Sequence, residues 1–316
     1  MADVKLGAVL WSQAGDWPGF LSAAQDAEEL GFDSIWTWDH LYAIFGDPYQ
    51  PVIEGYAALA GLAMGTKKVE IGLLVGANTF RNPGLVAKSM VTVDHMSGGR
   101  AILGLGGAWF GLEHAAFGLD FGSGFGQRLD WLDEATGAVR ELLDGETVTS
   151  DPRGRYDFDE LRIFPGPLRT PMPIMIGGSG ERKTLRTVAR YADLWNAFGS
   201  PATLAHKDGV LRRHCEDVGR DPVTIERTVG AKIVIRSSEE AARRTLEQLM
   251  EQNRTPMRDI SDDETFWIGT AEQLTEKMAG YLEIGFHTFL VELPSPYDHE
   301  TMEALANTVR PALSRA

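Results

Sequence analysis

A single cysteine, Cys215, stands among 316 residues, so no disulfide can close within the chain. That usage fits a reducing compartment, and a cytoplasmic location is expected. Cys215 lies in the polar helical run LRRHCEDVGR with no motif around it, and an idle structural role is expected of it. No stretch approaches the roughly 18 consecutive apolar residues of a membrane span. The opening MADVKLGAVLW has no basic segment followed by a long apolar core, so no signal peptide is expected either. His-x-His, H-E-x-x-H and Cys/His clusters are missing, which argues against a bound metal. The G-x-S-x-G elbow of many hydrolases is missing too. Positive charge is scarce: 30 Lys and Arg stand against 45 Asp and Glu, a net charge of −15. Such a field repels nucleic acid and anionic membrane, so neither is expected as a partner.

What is present is an apolar share of 43%, ample for a large core, in a strict alternation of elements. Short apolar runs read as strands at 4–10, 34–39, 69–75, 101–106, 173–178, 192–198, 230–235 and 287–294. Each is followed by a segment of helical periodicity, at 17–30, 52–65, 83–96, 127–143, 180–191, 201–218, 238–252 and 298–313. Gly31 closes the first helix and Pro83 opens the third. Strands that are apolar throughout are buried on both faces, as in parallel sheets. Eight such units without a break predict an α/β fold, a closed (β/α)8 TIM barrel, as one domain over 1–316. Three segments exceed that plan: 107–126 after strand 4, 144–172 before strand 5, read as a small hairpin, and 253–285 after strand 7. In the last, Thr270 and Gln273 have the spacing of a capping box.

In such a barrel the chemistry gathers at the C-terminal ends of the strands. Those ends carry Trp11 and Gln13, then Asp39 and His40, then Asn78, Thr79 and Arg81. Gly106, Gly107, Ala108 and Trp109 follow, with Glu113 and His114 beyond, and then Gly177 to Glu181, Asn196 and Glu292. Aromatic faces, small residues and a few ionisable groups on one rim suit a large planar ligand with a phosphate tail. The loop IGGSGERKTL at 176–185 is neither a Walker A nor a dinucleotide fingerprint. A strand that runs through glycines into a helix still leaves backbone N–H groups free for an anion, and a plain turn is the alternative. His40 beside Asp39 is a candidate proton donor or acceptor. His114 reads as a loop residue, His95 as a packing or capping residue of its helix, and His206, His214 and His299 as surface residues.

Four stretches carry a resemblance: GFDSIWTWDH (31–40), IGLLVGANTFRNPGLVAKSMVTVDHMSGGRAILGLGGAW (71–109), IGGSGERKTLRTVARYADLWN (176–196) and GFHTFLVELP (285–294). Through them the chain resembles the luciferase-like superfamily of flavin and deazaflavin oxidoreductases, and within it the branch that uses coenzyme F420. The resemblance implies that Asp39 and His40 lie at the deazaflavin ring, with Thr79 near the ring or ribityl chain. It places Gly106, Gly107 and Ala108 along the ribityl side, and Gly177, Gly178, Ser179 and Gly180 at the phosphate. Asn196 joins this set at the end of its strand. It also implies a non-prolyl cis peptide at the end of strand 3, at Leu74–Val75 or Val75–Gly76, pressed on the ring's back face. Sugar-phosphate dehydrogenases of the branch carry a glutamate at the position of Trp109. A sugar phosphate is therefore not expected, and an apolar or aromatic substrate against Trp11, Phe45 and Trp109 is.

The expected activity is hydride transfer between C5 of F420 and a small organic substrate. His40 would move the coupled proton, Asp39 would orient the ring or the histidine, and Glu113 would serve as a further acid or base. An FMNH₂-dependent monooxygenase with FMN as cofactor is the alternative, and a barrel that binds flavin without chemistry is the third reading. The resemblance also implies a homodimer.

Overall fold

The first strand, β1 (Lys5–Leu10), pairs in parallel with a strand that follows it and with the last strand of the chain. That pairing closes a barrel. Around it run β1, β2 (Ser34–Thr37), β3 (Glu70–Leu73), β5 (Ala101–Gly106), β6 (Ile174–Gly177), β7 (Leu194–Ala197), β8 (Glu226–Ile235) and β10 (Thr288–Leu293), with β10 joined back to both β8 and β1. The computed structural model describes residues 4–257 and 263–315. The eight-stranded parallel barrel is the fold expected from the alternation of runs.

Helices cover the outside, and local chemistry sets their ends. In α1 (Trp17–Glu29) the Asp16 side chain accepts the N–H of Gly19, with proline in the first turn. Helix α3 (Pro83–Ser97) starts from an Asn82 cap and stops at Gly98, whose φ of 73° is left-handed. Helices α2 (Gly55–Gly65), α5 (Phe125–Leu143), α6 (Thr184–Tyr191), α7 (Pro201–Val218) and α8 (Glu239–Gln252) complete most of the outer ring. The last helical stretch is α10 (His299–Ala304), a π turn at Leu305–Val309 and α11 (Arg310–Leu313).

The barrel interior is filled, not hollow. Val9, Trp36, Ile102, Met175, Leu194 and Leu290 are buried together inside it. Trp36 takes the most room, and two glycines make that room. A methyl group at Gly72 would lie 2.4 Å from its ring, and one at Gly7 would lie 3.0 Å from its Nε1 and 2.5 Å from Leu290. At both positions an added methyl group would force its neighbours to shift.

The surplus segments depart from expectation in three ways. Residues 107–126 contain a helix, α4 (Gly111–Phe117), where His114 is expected in a loop. Residues 144–172 form one antiparallel bridge, Val148–Leu161, instead of a hairpin of two strands. A strand missing from the sequence reading, β9 (Phe266–Gly269), pairs with the C-terminal end of β8 (Lys232–Ile235), whose middle residues Thr228–Lys232 pair with β10. The capping box is present: Thr270 and Gln273 cap α9 (Ala271–Leu282). Residues 258–262, inside the expected insertion 253–285, lie outside the described residues. A two-residue strand, β4 (Gly76–Ala77), extends the line of β3 and pairs with the end of β5.

Candidate active site

At the C-terminal ends of the strands lies a cavity of about 270 Å³. Asp39 and His40 reach it from beyond β2. Leu74 to Ala77 reach it from the passage between β3 and β4, and Gly106 to Trp109 with Glu113 from beyond β5. Gly177 and Gly178 come from the end of β6, Asn196 and Phe198 from β7 and just past it, and Phe125 from the start of α5. Residues from six parts of the chain thus meet in one wall, because parallel strands deliver all their C-terminal ends to the same rim.

One side of the cavity is backbone. A methyl group at Gly106 would fall 2.5 Å from Val75 Cγ2, and one at Gly177 would fall 3.0 Å from both Val75 methyls. Val75 therefore rests on two glycines. The peptide Leu74–Val75 is cis, at the first of the two positions expected. Ala108 has a φ of 54°, a left-handed conformation that disfavours a residue with a Cβ. Its carbonyl accepts from Arg128 Nε at 3.3 Å.

The polar side holds three ionisable groups, Asp39, His40 and Glu113, and the lining includes no Lys or Arg. Asp39 is buried. Its Oδ2 accepts from Ala77 N at 2.9 Å and from Arg81 Nη1 at 2.8 Å. Its Oδ1 has no partner among the described residues. Burial pushes the Asp39 carboxyl above the usual range, against the pull of Arg81. His40 Nδ1 lies 2.9 Å from Glu113 Oε1. The carboxylate accepts, so Nδ1 carries the hydrogen and Nε2 is left to exchange a proton. Glu113 is itself buried, and its Oε2 accepts the N–H of Leu41 at 2.8 Å.

These residues fit a flat, hydrogen-bonding cofactor ring. A wall of backbone and small side chains admits close approach, and the unsatisfied Asp39 Oδ1 needs a donor that the described residues do not supply.

Of the residues expected in the site, Asp39, His40, Glu113, Leu74, Val75, Gly106, Gly107, Ala108, Gly177, Gly178, Asn196 and Trp109 are brought together here. Five are not. Trp11 is fully buried: it follows Gly7 and Val9 on the inward-facing positions of β1, stacks on Phe45 at 4.8 Å and donates from Nε1 to Glu292 at 3.1 Å. It is a core residue, and Phe45 packs with it behind the cavity. Thr79 turns away to His114, 2.6 Å from Nε2. Ser179 and Gly180 lie past the cavity, because α6 begins only at Thr184 and a turn separates it from the glycines. Lys183, in the same loop, is committed elsewhere, with its Nζ 2.7 Å from Asp130.

His114 is a correction of a different kind. It is fully buried in α4, not a loop residue. Its Nδ1 donates to the Phe110 carbonyl at 2.8 Å, so in the neutral ring Nε2 accepts from the Thr79 hydroxyl. Phe125, Phe198, Gly76 and Ala77 were missed. Phe198 and Ala77 lie at strand ends, a signal that was available, but Phe125 comes from the first turn of a helix far along the chain.

A larger hollow of about 680 Å³ lies at the opposite end of the barrel. Its Lys5, Arg169, Arg212 and Arg227 are each paired with a carboxylate, so it reads as a charged closure. Among the described residues no cluster of His, Cys, Asp or Glu could hold a metal ion, and no helix is long and apolar enough to cross a membrane.

Comparison with known proteins gives three findings. The family model described as luciferase-like monooxygenase matches residues 7–288. Among curated proteins, the pyrimidine monooxygenase RutA of Caulobacter segnis is 32% identical over 205 residues, 62% of this chain and 56% of that protein. The F420-dependent hydroxymycolic acid dehydrogenase of Mycobacterium tuberculosis is 29% identical over 245 residues, 75% of this chain and 65% of that protein. The chain thus spans less than two thirds of the length of these relatives. Among solved structures, an F420-dependent secondary alcohol dehydrogenase in complex with an F420-acetone adduct superposes with a TM-score of 0.84 over 99% of both chains at 21% identity, a likeness of fold.

Proposed function

The chain belongs to the luciferase-like monooxygenase family, and from that premise we propose that it is an F420-dependent oxidoreductase acting on a small organic substrate. The observation that carries the reading is the pairing of His40 with Glu113 in the same wall as the unsatisfied Asp39 Oδ1. A hydrogen-bond acceptor for a ring and a proton-exchanging histidine stand side by side there.

When bound, F420 supplies hydride chemistry at C5. Asp39, Val75, Gly106, Gly107, Gly177 and Gly178 would hold its ring and the first part of its side chain. Glu113 fixes the tautomer and rotation of His40, so that Nε2 takes or gives the proton that accompanies the hydride. The absence of Lys and Arg from the lining favours a neutral substrate. Trp109, 58% exposed at the mouth, offers it an aromatic face. The similarity to an F420-dependent dehydrogenase over 75% of the chain supports this cofactor. A homodimer and a cytoplasmic location belong to the same reading.

The second reading, an FMN-dependent monooxygenase, is favoured by the similarity to a pyrimidine monooxygenase at 32% identity. Titrating the purified apoprotein with F420 and, separately, with FMN while following cofactor fluorescence separates the two. Tight F420 binding with weak FMN binding is the expected result. The reverse preference moves the protein to the second reading and makes oxygen uptake the next assay. Binding of neither cofactor overturns both.

A further inference from the structure

Arg81 stands behind the cavity wall and does not line the cavity. Its guanidinium joins three elements. Nη1 donates to Asp39 Oδ2 at 2.8 Å, beyond the end of β2. Nη2 donates to the carboxylate of Glu54, which caps α2 and accepts the N–H of Ala57 at 2.7 Å. The plane lies over the Tyr56 ring, 4.4 Å from its centroid. Arg81 itself sits just past β4, whose Ala77 N–H is the other donor to Asp39 Oδ2. Both donors thus converge on one oxygen, and the other, Oδ1, has none among the described residues.

We propose that Arg81 is the positioning residue of the cofactor wall: it holds the Asp39 carboxylate charged and in one orientation, with Oδ1 kept for a donor of the bound cofactor. The inference rests on the proposed function, and it concerns a residue that the cofactor does not touch.

The physical argument is a balance. A carboxylate removed from water resists ionisation, and only nearby positive charge and hydrogen-bond donors offset that. The charged and titratable groups around Asp39 are Arg81, Glu54 and Tyr56 on the outer side, and His40 with its partner Glu113 along the wall. Arg81 is the cation in direct contact with it. Burial alone would lower the Arg81 guanidinium, but Asp39 and Glu54 hold it up, so it stays charged. Without it, Ala77 N–H is the one remaining donor and the Glu54 charge faces Asp39 unopposed. The Asp39 carboxyl, which burial already raises, then moves further up and towards its protonated form. Its free oxygen no longer acts as a charged acceptor, and a ring N–H loses its partner.

The test uses the full-length Arg81→Met, Arg81→Lys and Asp39→Asn proteins and the double variant Asp39→Asn/Arg81→Met. Two quantities are read: F420 affinity by fluorescence between about pH 5.5 and 9, and the titration of the Asp39 carboxyl in the apoprotein by carbon NMR, assigned by its disappearance in Asp39→Asn. Arg81→Met is expected to weaken F420 about tenfold or more at neutral pH, the usual worth of a charge-assisted hydrogen bond. Its affinity recovers as pH rises through the new Asp39 titration, which lies above the wild-type one. Arg81→Lys restores most of the affinity, and the double variant binds no worse than Asp39→Asn alone. Unchanged affinity in Arg81→Met, or an equal loss at every pH with Asp39 titrating as in the wild type, overturns the proposal. If Arg81→Met does not fold, an Arg81→Lys protein with wild-type affinity supports the proposal. Failure of the wild-type protein to bind F420 overturns the functional reading instead, and the NMR titration then decides the Arg81–Asp39 coupling by itself.

Discussion

Glu113 grips the segment after β2 at two points, with Oε1 2.9 Å from His40 Nδ1 and Oε2 2.8 Å from the backbone nitrogen of Leu41. A residue seventy-three positions away in sequence therefore sets both the rotation of the histidine and the path of the chain that bears it. As a partner of His40, Glu113 positions the proton-exchanging group from within the cavity wall.

Replacement of His40 by alanine is expected to lower turnover about 100-fold or more, the usual range for loss of a general acid or base. F420 affinity should stay within about threefold, because Asp39 and the glycine wall remain. Glu113→Gln retains an acceptor for His40 Nδ1 and should fall between wild type and His40→Ala. Steady-state kinetics with a fluorescence titration of each variant checks this. Full turnover in His40→Ala removes the histidine from the chemistry.

A methyl group at Gly106 has nowhere to go, since Val75 Cγ2 lies 2.5 Å from where it would stand. Gly106→Ala should push Val75 into the cavity and cost about 1–3 kcal/mol of stability by overpacking. Cofactor affinity should drop further than stability does, to be read from thermal melts with and without F420. An unchanged affinity would show that the cofactor does not lie against Val75.

Thr79 gives a clean division between structure and cofactor. Its hydroxyl satisfies the buried Nε2 of His114 at 2.6 Å. Thr79→Val leaves that nitrogen unpaired and should cost about 1–3 kcal/mol in urea unfolding. F420 affinity is expected to remain within about twofold, as Thr79 does not line the cavity. A large loss of affinity in a protein of normal stability would return Thr79 to the cofactor site.

Away from the site, Glu28 ties α1 to the start of β3. Its carboxylate accepts the backbone N–H groups of Lys67, Lys68 and Val69 at 2.8, 2.7 and 3.1 Å. Burial alone would raise its pKa, but the three donors hold it below the ordinary glutamate value. A lowered folded value means that the unfolded chain binds the proton more readily. The stabilisation is therefore complete above the ordinary range, near pH 4.3, and fades as pH falls through the folded value below it. Glu28→Gln should cost about 1–2 kcal/mol at pH 7, and the gap to wild type should close as the solution is acidified past that window. A gap that stays constant with pH would assign the effect to packing.

Much of this was legible in the chain, for physical reasons that can be named. Period and punctuation give the eight strands because each is buried on both faces and so apolar throughout. Asp39 and His40 stood out because they immediately follow such a strand. Trp11 was misplaced because a position just past a strand was read as rim, although it continues the inward alternation of Gly7 and Val9. The N-terminal part of β8 escaped because Glu226 and Arg227, which face the charged closure at the far end of the barrel, and the buried Thr228 are polar. Partnerships were out of reach. Nothing local in Glu113 says that α4 folds back onto His40, and nothing local in Arg81 says that it shares Asp39 with a backbone nitrogen. Such pairings arise only once distant segments are packed.

The indole of Trp36, seated in the gap left by Gly7 and Gly72, makes the barrel a stoppered vessel and not a tube. Among the described residues, side chains fill the axis between the charged hollow at one end and the cavity at the other. Traffic along the axis is therefore closed: whatever enters the cavity from the C-terminal rim must leave by that same end of the barrel.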